Sequence, residues 1–351
     1  MIYFLLVHRL RRPRNSSVGR VLLIILLAMQ CTQLVASDSS SAIPVPLSDN
    51  YKVGDQFMGI KLLGTLRLPT KTTFGARLGG ISALAWDEDA DLLYALSDQG
   101  KLFHLRPKFS NEILHDVEIV AVHTLRDAKG QHLRAPWTDS EGLAIVNSAN
   151  GIEGDSELIV SFEVKVRVVH YRPDGRWLKE ETLPGPLRDE YRYLNGNKSL
   201  EAVTVHNRLG LLVAPELPLR GDQRGYIRLY AHDNRFWRYP LYAAPNSSLV
   251  AIEALPDDSV LTLERAFVSL TRPLIVTLRR TYLNVPPGNV LKVDDIAVFD
   301  SSQGWLLDNF EGLTRHRGRR FFIVSDDNQL ILQNTLLVYF EMLAPITSGS
   351  G

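Results

Sequence analysis

An all-β fold closed as a β-propeller is what this sequence predicts, and three observations carry the prediction. Apolar runs of about four to eight residues follow one another closely, separated by Gly, Pro, Asn and Asp, as in all-β domains. Long helical periodicity is scarce. A short strand-opening motif recurs five times at intervals of roughly 50 to 60 residues, the period of a four-stranded blade with generous loops.

Bulk properties narrow the function classes. The 351 residues carry 39 Lys+Arg against 39 Asp+Glu, a formal net charge of zero. No global basic field exists to hold nucleic acid or an anionic membrane, so an electrostatic function must come from local clustering. The single cysteine, Cys31, lies in the N-terminal apolar segment. Disulfides, thiolate metal sites and thiol nucleophiles are therefore excluded from the folded part.

Residues 1–37 read as a signal peptide or N-terminal anchor. His8, Arg9, Arg11, Arg12, Arg14 and Arg20 form a basic region, Val21 to Met29 an apolar run, and Leu34-Val35-Ala36-Ser37 a small-residue cleavage site. The run is shorter than the roughly 20 residues of a membrane span. Export to the periplasm or beyond is expected, with no membrane span in the mature chain. Residues 38–50, rich in Ser and Pro, read as a flexible linker, and 51–345 as the propeller domain.

The five motif copies are Gly80-Ile81-Ser82-Ala83-Leu84-Ala85, Asp139-Ser140-Glu141-Gly142-Leu143-Ala144, Ser199-Leu200-Glu201-Ala202-Val203-Thr204, Ala251-Ile252-Glu253-Ala254-Leu255 and Asn309-Phe310-Glu311-Gly312-Leu313-Thr314. A glutamate, replaced by Ser82 in the first copy, precedes Gly or Ala and then an aliphatic residue. Each copy is followed by an apolar strand ending in an acid: Asp98, Glu163, Glu216, Glu264, and Asp326 with Asp327. Strand material near Phe57 to Leu68 and near Ile331 to Met342 is left over. Joining the two termini in one further blade closes the ring and removes open sheet edges, which gives six blades.

Inner strands of a propeller converge on the central channel, so Gly142, Ala202, Ala254 and Gly312 answer a steric demand. The glutamates need another reason. Glu141, Glu201, Glu253 and Glu311 at equivalent positions converge near one channel mouth. Clustered carboxylates raise one another's pKa unless a cation is bound, and calcium is the natural oxygen-liganded choice. In the alternative, each acid accepts backbone N–H groups of the next blade and the chain is a non-catalytic binding module. Lys198, Arg265, Lys165, Arg77 and Arg315 are interleaved with the acids and suit an anionic, phosphate-bearing ligand. No G-x-S-x-G elbow, H-E-x-x-H motif or Walker A loop is present. Trp137, just before a repeat strand, is the tryptophan expected at a mouth.

Taken together, Gly79-Gly80-Ile81-Ser82-Ala83-Leu84, Asp139-Ser140-Glu141-Gly142-Leu143, Ser199-Leu200-Glu201-Ala202, Leu263-Glu264-Arg265 and Asn309-Phe310-Glu311-Gly312-Leu313 with Val324-Ser325-Asp326-Asp327-Asn328 resemble the phytase-like family, exported bacterial proteins described as esterase-like members of the phytase group. The resemblance covers about Gly59 to Phe340. It implies a six-bladed propeller and phosphoester hydrolysis by similarity to calcium-dependent propeller phytases. It further implies Glu141, Glu201 and Glu311 as catalytic carboxylates. Cation binding falls to Glu141, Glu201, Glu253 and Glu311, with Asp326 and Asp327 as outer ligands, and phosphate contact to Lys198 and Arg265. A monomer acting on a small phosphate-bearing molecule is expected. The chain departs from the pattern at Ser82, and it lacks the dense basic cluster expected for a six-phosphate substrate.

Overall fold

The computed structural model describes residues 41–196, 198–269, 271–328 and 333–343. The expected export signal with Cys31, linker residues 38–40 and domain residues 344–345 lie outside the described residues.

Five antiparallel sheets form a five-bladed β-propeller. Blade 1 comprises Ile81–Asp87, Leu92–Ser97, Lys101–Ser110 and Ile113–Thr124. Blade 2 comprises Ser140–Val146, Glu157–Phe162, Arg167–Tyr171 and Trp177–Glu181. Blade 3 comprises Ala202–His206, Gly210–Ala214, Tyr226–Ala231 and Phe236–Pro240. Blade 4 comprises Ser247–Ala254, Ser259–Ala266, Ile275–Tyr282 and Lys292–Asp300. Blade 5 takes Asn309–Arg315, Arg320–Asp326 and Leu336–Met342 from the C-terminal part and Ile60–Arg67 from the N-terminal part. The first strand of each blade is innermost and packs on the first strands of both neighbours, so the ring is closed.

The expectation of six blades is corrected to five. The sequence predicts the fifth motif pair as one blade and the terminal strands as another. In the structure they are one sheet: Leu336–Met342 pairs with Arg320–Asp326 on one side and with Ile60–Arg67 on the other, from Leu336 opposite Arg67 to Met342 opposite Ile60. Each ring position needs only four strands to span from channel to rim, and the terminal strands supply the two that the fifth motif pair lacks. Residues 41–50, the described part of the expected linker, do not hang free. Ile43 pairs with Arg67, Ser48 bridges to Trp305, and Leu47 is buried in the layer between blades 4 and 5.

The apolar core is divided into five layers, one between each pair of adjacent blades. Blade sheets are covered on both faces, which is why inner strands such as Ile81–Asp87 are buried throughout rather than alternating. No helix among the described residues is long and apolar enough to cross a membrane.

One local device recurs in the inner strands. The pairing register slips by one residue at Ser82 in blade 1, Glu141 in blade 2, Val250 in blade 4 and Glu311 in blade 5. Each is the extra residue of a β-bulge, left unpaired and re-aimed by the bend. In blade 3, Glu201 takes the same position immediately before the strand begins. The residue after each bulge is Ala83, Gly142, Ala202, Ala251 or Gly312, so small residues do ring the channel. The blade 4 member is Ala251, not Ala254.

A Cβ on Gly142 would run into the Glu201 carbonyl oxygen and Ser161 Oγ, and one on Gly312 would meet Val324 Cγ1 at 2.5 Å and Ala83 Cα at 3.1 Å. Gly142→Ala is therefore expected to cost about 1–3 kcal/mol through forced backbone movement. Gly196→Ala, in open space, is expected to stay within about 0.5 kcal/mol of the parent. Thermal melting of the two variants checks this, and equal melting points would refute the steric account.

Candidate functional site

In an antiparallel hairpin the start of the first strand lies beside the end of the second. Ser140 pairs with Phe162, Asn309 with Asp326 and Ser248 with Arg265. The two halves of the sequence motif thus meet at one end of every blade, and all five copies meet at one channel mouth. Two residues before the bulge, the carbonyls of Gly80, Asp139 and Ser199 accept the backbone N–H groups of Asp98, Glu163 and Glu216 at 2.8, 2.9 and 2.9 Å. Register identifies the blade 4 and blade 5 equivalents of these acids as Arg265 and Asp326. The mouth therefore has an inner ring of Ser82, Glu141, Glu201, Val250 and Glu311. Above it lies an outer ring of Asp98, Glu163, Glu216, Arg265 and Asp326.

Of the predicted residues, Glu141, Glu201, Glu311, Asp326, Lys198 and Arg265 are brought together at this mouth. Glu253 is not, and its assignment to the cluster is corrected. It sits near the far end of its strand, opposite Leu261, and lines a cavity of about 300 Å³ at the other channel mouth with Trp86, Thr204 and His316. There it accepts the backbone N–H of Arg315, and burial pushes its carboxyl up to about 7. The true blade 4 copy is Ser248-Leu249-Val250-Ala251-Ile252, which matches Ser199-Leu200-Glu201-Ala202-Val203 except for Val250 in place of the acid and Ile252 in place of Val203. Three residues on, Glu253-Ala254-Leu255 imitates the motif one turn of the pattern too late.

The predicted outer ligand Asp327 and the strand-end acid Glu264 prove to be blade locks. Asp327, expected as an outer ligand, accepts the Gly80 N–H at 2.9 Å and pairs with Arg77 at 2.9 Å, tying blade 5 to blade 1. Glu264 accepts from Ser247 Oγ at 2.8 Å, the Tyr242 N–H at 2.8 Å and Arg279 at 2.8 Å, and contacts the Tyr239 hydroxyl.

The remaining acids are crowded. Carboxylate oxygens of Asp139, Glu141 and Glu163 lie within 4.8 Å of one another, as do those of Glu163, Glu201 and Glu216. Glu163 belongs to both groups and accepts the Ser199 N–H at 2.5 Å. Sequence reasoning noted Glu163 and Glu216 as strand-end acids without assigning them a site. Asp139 was missed, although it opens the second motif copy where the others carry Gly, Ser or Asn. Lys198 meets Glu216 at 2.8 Å, and Arg265 bridges Glu311 at 2.8 Å and Glu216 at 3.4 Å. Asn309 Nδ2 also donates to Glu311 at 2.8 Å.

Three cations, Arg77, Lys198 and Arg265, thus face nine carboxyl groups: Asp98, Asp139, Glu141, Glu163, Glu201, Glu216, Glu311, Asp326 and Asp327. The deficit shows in protonation. Burial, followed by the charges of Glu163 and neighbouring acids, holds Glu141 and Glu201 well above the usual carboxyl range. Burial pushes Glu163 up to about 7, opposed by hydrogen bonds from Glu201 and the Ser199 N–H. Asp326 rises to about 8 through burial and the charge of Glu311, and Asp98 to about 6 through burial. Without a metal ion the mouth keeps itself tolerable by holding protons.

A hard divalent cation fits these residues. All donors are oxygens, the two triads share one carboxylate, and the buried Ser199 hydroxyl has no hydrogen-bond partner among the described residues. Asp139, Glu141, Glu163, Glu201 and Glu216 are the groups that would hold it. Trp137, expected at a mouth, instead lines a separate cavity between blades 1 and 2 with Arg167, Tyr171 and Trp177; it is half exposed, with the Arg167 guanidinium 5.2 Å from its ring centre.

Comparison with known proteins agrees with this geometry. No curated protein matches the chain. A family model described as phytase-like, esterase-like activity of phytase, matches residues 76–329. That span contains every acid of both rings, and the chain belongs to the phytase-like family.

Proposed function

We propose that this chain is an exported phosphoesterase that hydrolyses phosphate monoesters with a divalent cation, calcium, at the acidic mouth. The observation that carries the reading is the pair of carboxylate triads sharing Glu163 in a phytase-like propeller. Export is supported by the basic and apolar N-terminal segment. When bound, the cation supplies charge for a phosphoryl oxygen and acidifies a water molecule.

The protein's own groups do the rest. Lys198 and Arg265, fixed by Glu216 and Glu311, present positive charge at the rim to an incoming phosphate. A water oxygen bonds to phosphorus, the bond from phosphorus to the ester oxygen breaks, and the alcohol leaves. We assign to Glu141 and Glu201, whose carboxyls are held raised by burial and by neighbouring acids, the uptake of the water proton and its delivery to the departing oxygen. Glu311 orients Arg265. In the competing reading the acids are all blade locks and the propeller only binds, a role that Glu264 and Asp327 do fill.

The two readings differ in pH behaviour. Carboxyl groups with ordinary values of 4.5 or 3.8 titrate at about 7 in Glu163 and about 8 in Asp326. Above pH 7 the unfolded chain has already lost these protons and the folded chain still holds some. Stability of the cation-free protein therefore falls as pH rises from about 7 to 9. The depressed imidazoles of His104 and His316 act only below that window. We expect the melting temperature in chelator to drop across it and calcium to restore it, with affinity increasing with pH as protons are displaced. A flat melting temperature, unmoved by calcium, would favour locks.

Glu163→Gln removes a ligand from both triads at once. Calcium affinity measured by calorimetry should weaken about 10-fold or more, and hydrolysis of a phosphate monoester should fall with it. Glu253→Gln, at the opposite mouth, should leave calcium affinity unchanged. No turnover of any phosphate ester by the parent protein, with calcium or with chelator, would sink the hydrolase reading.

A further inference from the structure

A cavity of about 680 Å³ opens beside the acidic mouth between blades 4 and 5. Its inner wall is Lys198, Arg265 and Asn309, the residues that bond directly to Glu216 and Glu311. Cavity and carboxylate cluster thus share a wall. We propose that this cavity receives the organic part of the substrate, and that the substrate is a monophosphate ester of an aromatic or aliphatic group rather than a polyphosphorylated polyol. The turnover arm of this proposal rests on the hydrolase reading; the binding arm does not.

Charge on the walls sets the phosphate number. Lys198 and Arg265 are already engaged by Glu216 and Glu311. The remaining cation, Arg272, is exposed and has no ion-pair partner among the described residues. Asp308, half-buried in the same wall, adds negative charge, and its carboxyl is raised by burial. One phosphate beside a bound cation is matched by this set. A ring of several phosphates would meet Asp308 and the surrounding acids with too few cations to answer them.

The rest of the lining is mixed, with an apolar part set among serines, asparagines and a glutamine. Leu217, Phe267, Leu274 and Leu307 line the cavity, and Phe267 is 47% exposed. Exposed large apolar side chains are also unevenly distributed. Phe74, Trp137, Tyr191, Leu194, Phe267, Val268 and Leu306 lie in connections at the acidic end of the blades, against Val53, Met58, Ile152 and Val290 elsewhere. An exposed apolar rim around a polar, charged centre is the usual form of a site for an amphiphilic ligand.

The test compares benzyl phosphate, glycerol 1-phosphate and phytate as substrates of the mature protein in calcium, and benzylphosphonate with methylphosphonate as non-hydrolysable ligands in calorimetry. Benzyl phosphate should show a KM at least about 10-fold below that of glycerol 1-phosphate, and benzylphosphonate a similar advantage in Kd. Phe267→Ala should shrink both preferences to about 3-fold or less, while Arg272→Ala should weaken benzyl and methyl ligands alike. Preference for benzylphosphonate without any turnover would uphold the cavity assignment and overturn the hydrolase reading. Equal binding of the two phosphonates, a lower KM for phytate, or a benzyl preference that survives Phe267→Ala combined with Leu217→Ala would overturn the assignment.

Discussion

Five inner strands must converge on one axis, and the β-bulge near the start of these strands is how the chain meets that constraint. The bulge bends the strand into the channel and frees one residue from the ladder. The next residue must be small, because it faces the backbone of the neighbouring blade: Gly142 lies against Glu201 and Gly312 against Ala83. The freed residue then has only the channel to point into. Three of the five are glutamates, so the packing solution itself delivers carboxylates to a common point. The acidic site is a by-product of ring closure that selection of residue type can either use or cancel.

The same constraint separates acids free to hold a metal from acids that hold the ring together. Asp327 and Glu264 are surrounded by donors that belong to the backbone, to a neighbouring blade or to an arginine. Their charge is answered within the protein. Glu141, Glu163 and Glu201 face chiefly one another, and what answers their charge in the absence of metal is a set of shared protons. Protons and a divalent cation compete for the same oxygens, which makes the mouth a place where metal binding, pH and folding stability are thermodynamically linked.

Much of this was legible in the sequence, for physical reasons. The steric rule at the channel leaves a periodic trace of small residues, and the acids stand at a fixed offset from it, so Glu141, Glu201 and Glu311 were readable without coordinates. Blade number was not, because strand pairing between the two ends of the chain is a long-range fact: Leu337 opposite Leu66 has no local signature. Glu253 was misread because Val250 broke the chemical pattern while the steric one continued through Ala251. Aligning on the small residue and the bulge, rather than on the glutamate, gives the correct register. Residues 41–50 misled in the other direction. Their Ser and Pro content is that of a linker, yet Ile43 and Leu47 find an edge strand and an apolar layer to cover.

Blade 4 turns this pseudo-symmetric ring into a directional site. Where the others carry an acid or serine in the inner ring, it carries Val250; where they carry an acid in the outer ring, it carries Arg265. The guanidinium lies between Glu216 and Glu311 and neutralises that side of the mouth from within. Both carboxylate triads thereby lie in the arc of blades 2 and 3, away from the guanidinium's side of the mouth. In the proposed function a cation would be drawn to one side of the channel and an anion to the other, and the 680 Å³ cavity opens on the side of Arg265. A fully acidic ring would repel a phosphate from every direction. Substituting one blade gives the anion a line of approach that ends between a fixed positive group and the oxygens able to hold a metal, which is the polarity that phosphoester chemistry requires.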